Sequence, residues 1–236
     1  MPMSDFAAFI LTHRRPDRVD TYRSLRRRGY TGPIYLVVDD EDPTLDEYVK
    51  RFGEESVLVF SKGDLEGAFD VGDNFDKAKP VVYARNACWE IARRVGVRYF
   101  IELDDDYDDF YNRRNSAGEF GCWPAAPLDD IFEGLLEFLK DTPALCVCMA
   151  QGGDYIGGGD SSFAKKVTLR RKAMNSFVCD VERPFNFVGR INEDTNTYVI
   201  LGTRGELFAT FPTIMLHQRQ TQSNAGGLTE FYLDSG

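Results

Sequence analysis

Short apolar runs alternate with amphipathic stretches along the first two thirds of the chain. Residues 6–12, FAAFILT, are rich enough in apolar side chains for a buried strand, and residues 16–29 open on Pro16 and close on Gly29 as a helix does. Residues 33–40, PIYLVVDD, read as a second strand ending in carboxylates. A second helix with Pro at its start and Gly at its end covers 43–53, and a third strand covers 56–62. Residues 63–79 hold three glycines and no sustained period, the mark of a loop. Over 80–96, Val81, Ala84, Cys88, Ile91 and Val95 recur at helical spacing and lead into a strand over 97–103. A Pro-rich break at 124–127 precedes a helix over 128–141 and a strand over 144–150.

Alternation of this kind predicts an α/β fold with a mostly parallel central sheet flanked by helices. Beyond Gln151 the character changes to a glycine-rich stretch, GGDYIGGGD, read as a lid or a turn, and then to shorter, more polar strands. Residues 1–236 therefore read as a single domain. About 1–150 form a nucleotide-binding half, and about 151–236 a smaller acceptor half.

Composition narrows the classes. The 236 residues are 43% hydrophobic and 13% aromatic, enough for a substantial core. The apolar run from Phe6 to Leu11 is far short of the roughly 20 residues that span a bilayer, and its flanks do not resemble a secretory signal, so a cytoplasmic protein without membrane contact is expected. Five cysteines without a C-x-x-C pattern predict reduced, mostly buried thiols. A net charge of −10 argues against a protein that coats nucleic acid with positive surface, which leaves only local contacts. One such locality is the segment Arg14 to Arg28, where seven arginines fall; it reads either as a phosphate-binding stretch or as a solvated helix face.

In open α/β sheets, ligands bind outside the carboxyl ends of the strands. Thr12 to Arg15, Asp39-Asp40 and Asp104-Asp105-Asp106 all fall at such ends. Five aspartates crowd between Asp104 and Asp109 and repel one another. Residues at i and i+2 of an extended segment point the same way, so Asp104 and Asp106 can aim two carboxylates at one hard cation. The alternative is an acidic turn facing water. There is no P-loop and no dinucleotide fingerprint. A D-x-D can also serve as a phosphatase nucleophile, but that arrangement belongs on the first strand of a domain, whereas this one ends the fourth.

The ordered set FILTHRRPDRVDTYRSLRRRGYTGPIYLVVDDED, ARNACWEIARRVGVRYFIELDDD and INEDTN resembles the successive signatures of glycosyltransferases of the GT-A fold, over roughly residues 6–200. More narrowly, the chain resembles the phage TET-associated glycosyltransferases, whose acceptor is 5-hydroxymethylcytosine in DNA. The resemblance implies a nucleotide-sugar donor, a UDP-sugar before others, and a Mn²⁺ or Mg²⁺ ion held by Asp104 and Asp106. It implies that Thr12, Arg14, Asp39, Arg85 and Asp105 face the donor; Arg85 pairing with a carboxylate and Asp39 capping its turn are the competing readings. Asp194, or else Glu193, is expected to take the acceptor's proton if the reaction inverts the anomeric centre, unless Asp194 merely caps a helical turn. His217 is read as a third metal ligand or as a structural histidine. For a DNA acceptor, Arg14, Arg15, Arg18 and Arg26 to Arg28 would contact phosphates, and a flipped base would meet Trp123, Tyr155 or Phe163. A nucleotidyltransferase, a transferase acting on small molecules or proteins, and an inactive binding module are the alternatives.

Overall fold

The computed structural model describes residues 5–65, 67–70, 81–169, 172–189 and 191–218. The elements are β1 (Phe6–Leu11), α1 (Asp20–Arg27), β2 (Ile34–Asp39), α2 (Leu45–Phe52), β3 (Val57–Phe60), α3 (Val81–Val95), β4 (Tyr99–Asp104), β5 (Tyr107–Arg114), β6 (Phe120–Pro124), α4 (Leu128–Asp141), β7 (Cys146–Ala150), β8 (Thr168–Leu169), β9 (Ser176–Asp180), α5 (Glu193–Thr203) and β10 (Phe208–Gln218). One ten-stranded sheet has the order β3-β2-β1-β4-β9-β7-β10-β5-β6, with β8 on β10. The pairs β3/β2, β2/β1, β1/β4 and β7/β10 are parallel; β9, β5 and β8 run against the rest.

β1 lies at the centre of the parallel part and is buried on both faces, as its unbroken apolar run requires. The two-residue period of a strand divides it: Phe6, Ala8 and Ile10 pack with Leu25 of α1, Tyr48 of α2 and Phe132 of α4, while Ala7, Phe9 and Leu11 pack with Cys88, Trp89 and Ile91 of α3. Helices thus cover both faces of the sheet. No helix among the described residues is long and apolar enough to cross a membrane. The cysteines are free and, apart from Cys122, buried.

Two departures from the sequence pattern bear on function. The acidic run does not end in an open turn: after Asp106 the chain enters β5, whose Asp109 is gripped by Arg28 through two bonds of 2.6 Å. Against the upward push of burial, those bonds draw the Asp109 carboxyl down to about 2. Second, the last third threads the same sheet. β9 lies between β4 and β7, and β10 brings residues up to Gln218 beside β5. The stretch GGDYIGGGD folds into short 3-10 turns at Gly152–Tyr155 and Gly158–Asp160. Most of the segment read as a loop from 63 to 79 lies outside the described residues.

Candidate active site at the carboxyl end of β4

The three aspartates that close β4 alternate in direction. Asp105 turns inward: its Oδ2 accepts from Thr12 Oγ1 at 2.7 Å and its Oδ1 from Arg15 Nη1 at 3.2 Å. Thr12 is also 2.8 Å from the Tyr48 hydroxyl, so Thr12 and Asp105 form a buried wall rather than an open contact surface. Burial outweighs Arg15 and Thr12 and lifts the Asp105 carboxyl to about 7.

Asp104 and Asp106 project the other way. α1 fixes the backbone between them through polar residues that local pattern does not single out: Thr21 Oγ1 donates to the Asp104 carbonyl at 2.6 Å and accepts from the Tyr107 N–H at 2.9 Å, and Ser24 Oγ donates to the Tyr107 carbonyl. Asp104 Oδ1 receives Arg85 Nη2 at 3.0 Å, and its Oδ2 receives the Tyr107 hydroxyl at 3.0 Å. Among the described residues the side chain bonded to Asp106 is a neutral amide, Gln218 Nε2, at 3.2 and 3.1 Å. Burial first, and the charge of Asp104 second, raise its carboxyl to about 6. Among the described residues Asp106 has no ion-pair partner, and the positive charge that acts on it is that of Arg15, which is itself bonded to Asp105.

The sequence pattern places Arg85 against the nucleotide; the fold buries it at 2% exposure beneath the aspartates. It donates Nε to Glu193 Oε1 at 2.9 Å and Nη2 to Asp104, while Nη1 lies 3.6 Å from Glu102 Oε2. The rings of Phe177 and Phe187 flank it at 5.0 and 5.6 Å. Arg85 therefore joins β4 to the start of α5. That junction carries Glu193 and Asp194, both largely buried, with burial as the main cause of raised carboxyl pKa values. Asp194 lies within the electrostatic reach of Asp104 and Arg85, and its Oδ1 also accepts the Thr195 N–H at 2.6 Å; it sits inside the first turn of α5, whose N-cap position is Asn192.

The remaining expected residues sort themselves by partner. Asp39 accepts the Glu41 N–H at 2.8 Å and forms an ion pair with Lys62. Both of its competing readings, turn cap and donor-facing acid, thus stay within reach of one side chain. Arg14 is exposed, adopts a left-handed φ of 56°, and gives its N–H to Asp42 at 2.7 Å. His217 does not join the aspartate pair: its Nδ1 sits 2.5 Å from Asp108 Oδ1 on an exposed edge. A register shift between His217 and Gln218 sends the two side chains apart and leaves Gln218 at Asp106.

Among the described residues no three His, Cys, Asp or Glu side chains converge in a group that would hold an ion alone. Two carboxylates do suit Mg²⁺ or Mn²⁺ of the kind that completes its shell with water and substrate phosphates. The lack of an ion-pair partner for Asp106 among the described residues is the observation that fits such an ion.

The model of the TET-associated glycosyltransferase family matches residues 6–227. The chain belongs to that family. No curated protein matches it in sequence. Among solved structures, this TET-associated glycosyltransferase shares its fold with the mannosyltransferase PcManGT from Pyrobaculum calidifontis in complex with GDP-Man and Mn²⁺, at 12% identity, 93% coverage of this chain and 58% of that one, TM-score 0.54. It is similar also to S. aureus TarS in complex with UDP, at 9% identity, 97% and 62% coverage and TM-score 0.51. GalNAc-T7 with UDP, GalNAc and Mn²⁺ matches at 12% identity, 92% and 44% coverage and TM-score 0.51. The chain spans less than two thirds of the length of these three relatives. The fold is the GT-A type expected from the sequence, with most strands parallel and helices on both faces.

Proposed function

We propose that the protein transfers a sugar from a nucleotide-sugar donor, a UDP-sugar, to the hydroxyl of 5-hydroxymethylcytosine in DNA. The observation that carries the reading is the under-compensated pair Asp104 and Asp106 at the carboxyl end of β4, joined through Arg85 to Glu193 at the head of α5. The family supports sugar transfer, and its association with TET supports the acceptor.

Asp104 and Asp106 would hold Mn²⁺ or Mg²⁺, and the ion would supply positive charge against the departing diphosphate. Arg85 and Tyr107 fix the Asp104 carboxylate in one orientation, so no reorganisation is needed when charge builds on the leaving group. As the acceptor oxygen bonds to the anomeric carbon and the bond to the phosphate oxygen breaks, Asp194 takes the hydroxyl proton, with Glu193 anchored to Arg85 behind it. Burial of Asp194 raises its affinity for that proton. Thr12, Asp105 and Arg15 shape the floor beside the donor.

One observation favours a smaller acceptor: most arginines between Arg14 and Arg28 are engaged within the chain. Arg28 grips Asp109, Arg15 bonds Asp105, and Arg26 donates to the Tyr30 and Gly32 carbonyls at 2.8 Å each. Incubation with a panel of sugar nucleotides, Mn²⁺ and either hydroxymethylcytosine DNA or the free nucleoside decides between them. The expected result is diphosphate release with a mass gain of one sugar unit on modified DNA and none on unmodified DNA. Transfer to small acceptors alone removes the DNA assignment; no diphosphate release with any of these acceptors removes the transferase reading.

A further inference from the structure

The arginine segment on α1 stands out in sequence, but a second group of positive side chains gathers elsewhere. At the far end of β5, the Arg113 guanidinium sits between two rings, 4.5 Å from the centroid of Phe120 and 4.4 Å from that of Tyr155. Its Nε is buried without a hydrogen-bond partner. Beside it, Arg114 donates to the Gly118 and Ala164 carbonyls at 2.7 and 2.9 Å, which ties β5 to the turn Phe163–Lys165. Lys165 and Lys166 follow, both exposed. Among the described residues no carboxylate lies within ion-pair distance of Arg113, Arg114 or Lys166. Lys165 has only Asp160 at 3.8 Å, with both side chains so exposed that solvent screens the pair. Ile156, next to Tyr155, is 87% exposed, an apolar side chain left in water at the edge of this basic group.

Positive charge without an ion-pair partner, beside an exposed apolar side chain, suits a nucleic-acid strand: cations meet phosphates and the apolar group meets an unstacked base, while Phe120 and the buried Tyr155 hold Arg113 in place. In an acidic chain with net charge −10, such a patch is a local exception whose complement is a polyanion. Position agrees with use. β5 starts immediately after Asp106, and the six steps along the strand from Tyr107 to Arg113 span about 20 Å of extended chain. A strand whose target nucleotide reaches the aspartates therefore has its neighbouring phosphates within range of this end of β5.

We infer that the face formed by Arg113, Arg114, Lys165, Lys166 and Ile156, and not the α1 arginines, is the docking surface for the phosphate backbone of a nucleic-acid acceptor. The inference rests on the DNA reading above and names where that acceptor is held.

The test is fluorescence anisotropy of a labelled hydroxymethylcytosine oligonucleotide with the full chain over a series of salt concentrations, which needs no turnover. Each lost phosphate contact lowers the slope of log K against log salt by about 0.7–0.9. K165Q/K166Q is expected to lower it by about 1.5 and to weaken binding at fixed salt, while R26Q/R27Q leaves the slope within about 0.5 of wild type. Both lysines are exposed, so the fold is not at stake. An unchanged slope in K165Q/K166Q overturns the inference, as does a loss confined to R26Q/R27Q, wild-type chain that binds no oligonucleotide at low salt, or lysine-dependent binding to phosphatidylserine vesicles in place of DNA. Lysine-dependent DNA binding without any sugar transfer leaves the surface standing and removes the proposed reaction.

Discussion

The ends of β2 and β4 present carboxylates at equivalent places in the sheet, yet only one pair is left short of positive charge. At β2, Asp39 has Lys62, and Asp42 has the Arg14 N–H, the Thr44 N–H and hydroxyl, and His13 at 3.2 Å. At β4, Asp104 shares Arg85 with Glu193 and Glu102, and Asp106 has, among the described residues, an amide and no ion pair. An acid at a strand end is therefore no sign of chemistry by itself. The sign is a charge that the fold has positioned with two or more bonds nearby and then not neutralised. Folding gains nothing from an arrangement of that kind, so its use must come from something that binds.

The largest effect that sharpens the contrast is at β4. Asp104→Asn and Asp106→Asn are each expected to lower kcat/KM about a thousandfold, the several kcal/mol of charge stabilisation a bound ion supplies, while circular dichroism and melting stay near wild type for Asp106→Asn. Activity within tenfold of wild type in both would make the β4 end equivalent to the β2 end.

Next comes Arg85→Met, which leaves Asp104, Glu193 and Glu102 facing one another around an uncharged side chain. A loss of about 3–5 kcal/mol in denaturant unfolding is expected. Arg85→Lys should recover part of the stability but less of the turnover, because an ammonium cannot bond Asp104 and Glu193 in one plane. Full stability of Arg85→Met would contradict the junction described between β4 and α5.

Much of the parallel half was legible because each strand's apolar run and each helix's period are local properties. The strand pair β5 and β6 was not: YDDFYNRR reads as polar, and its charges are absorbed by side chains from α1, with Arg28 meeting Asp109 across 81 residues of sequence. In the site, the i and i+2 rule pairs Asp104 with Asp106, but β4 ends at Asp104 and the next two aspartates form the turn into β5, so the inward direction of Asp105 goes with its bonds to Thr12 and Arg15. The jobs of Arg85 and Gln218 depend on partners 108 and 112 residues away, which no local pattern records. His217 carried the stronger chemical signal of the two neighbours, and a shift in strand register gave the position to Gln218.

A smaller effect separates proton transfer from donor binding. Asp194→Asn is expected to lower kcat about a hundredfold while the affinity for UDP and Mn²⁺, read by calorimetry, stays within a factor of two or so. Unchanged turnover would leave Asp194 as a first-turn acid of α5 without a part in proton transfer. Smallest is Asp39→Asn, which strips Lys62 of its buried partner and should cost about 1–3 kcal/mol of stability with kcat within tenfold of wild type. A thousandfold loss there would erase the distinction between the two strand ends.

Mn²⁺ binding tests the central claim most directly, followed by the electron paramagnetic resonance signal of the free ion in the presence of UDP, for wild type and Asp106→Asn, at pH 7.5 and 5. The Asp106 carboxyl, lifted to about 6, keeps its proton in the folded chain where the unfolded chain has lost it. Its contribution to metal-free stability is therefore complete below the ordinary carboxylate range and is lost as pH rises through about 6, and metal binding must displace that proton. Asp105 at about 7 acts in the same sense, and His13, held below its ordinary value by burial, acts in the opposite one. The account predicts tight UDP-dependent binding at pH 7.5, at least tenfold weaker binding at pH 5, and little binding by Asp106→Asn at either pH. Equal Mn²⁺ affinity in wild type and Asp106→Asn at pH 7.5 would contradict it.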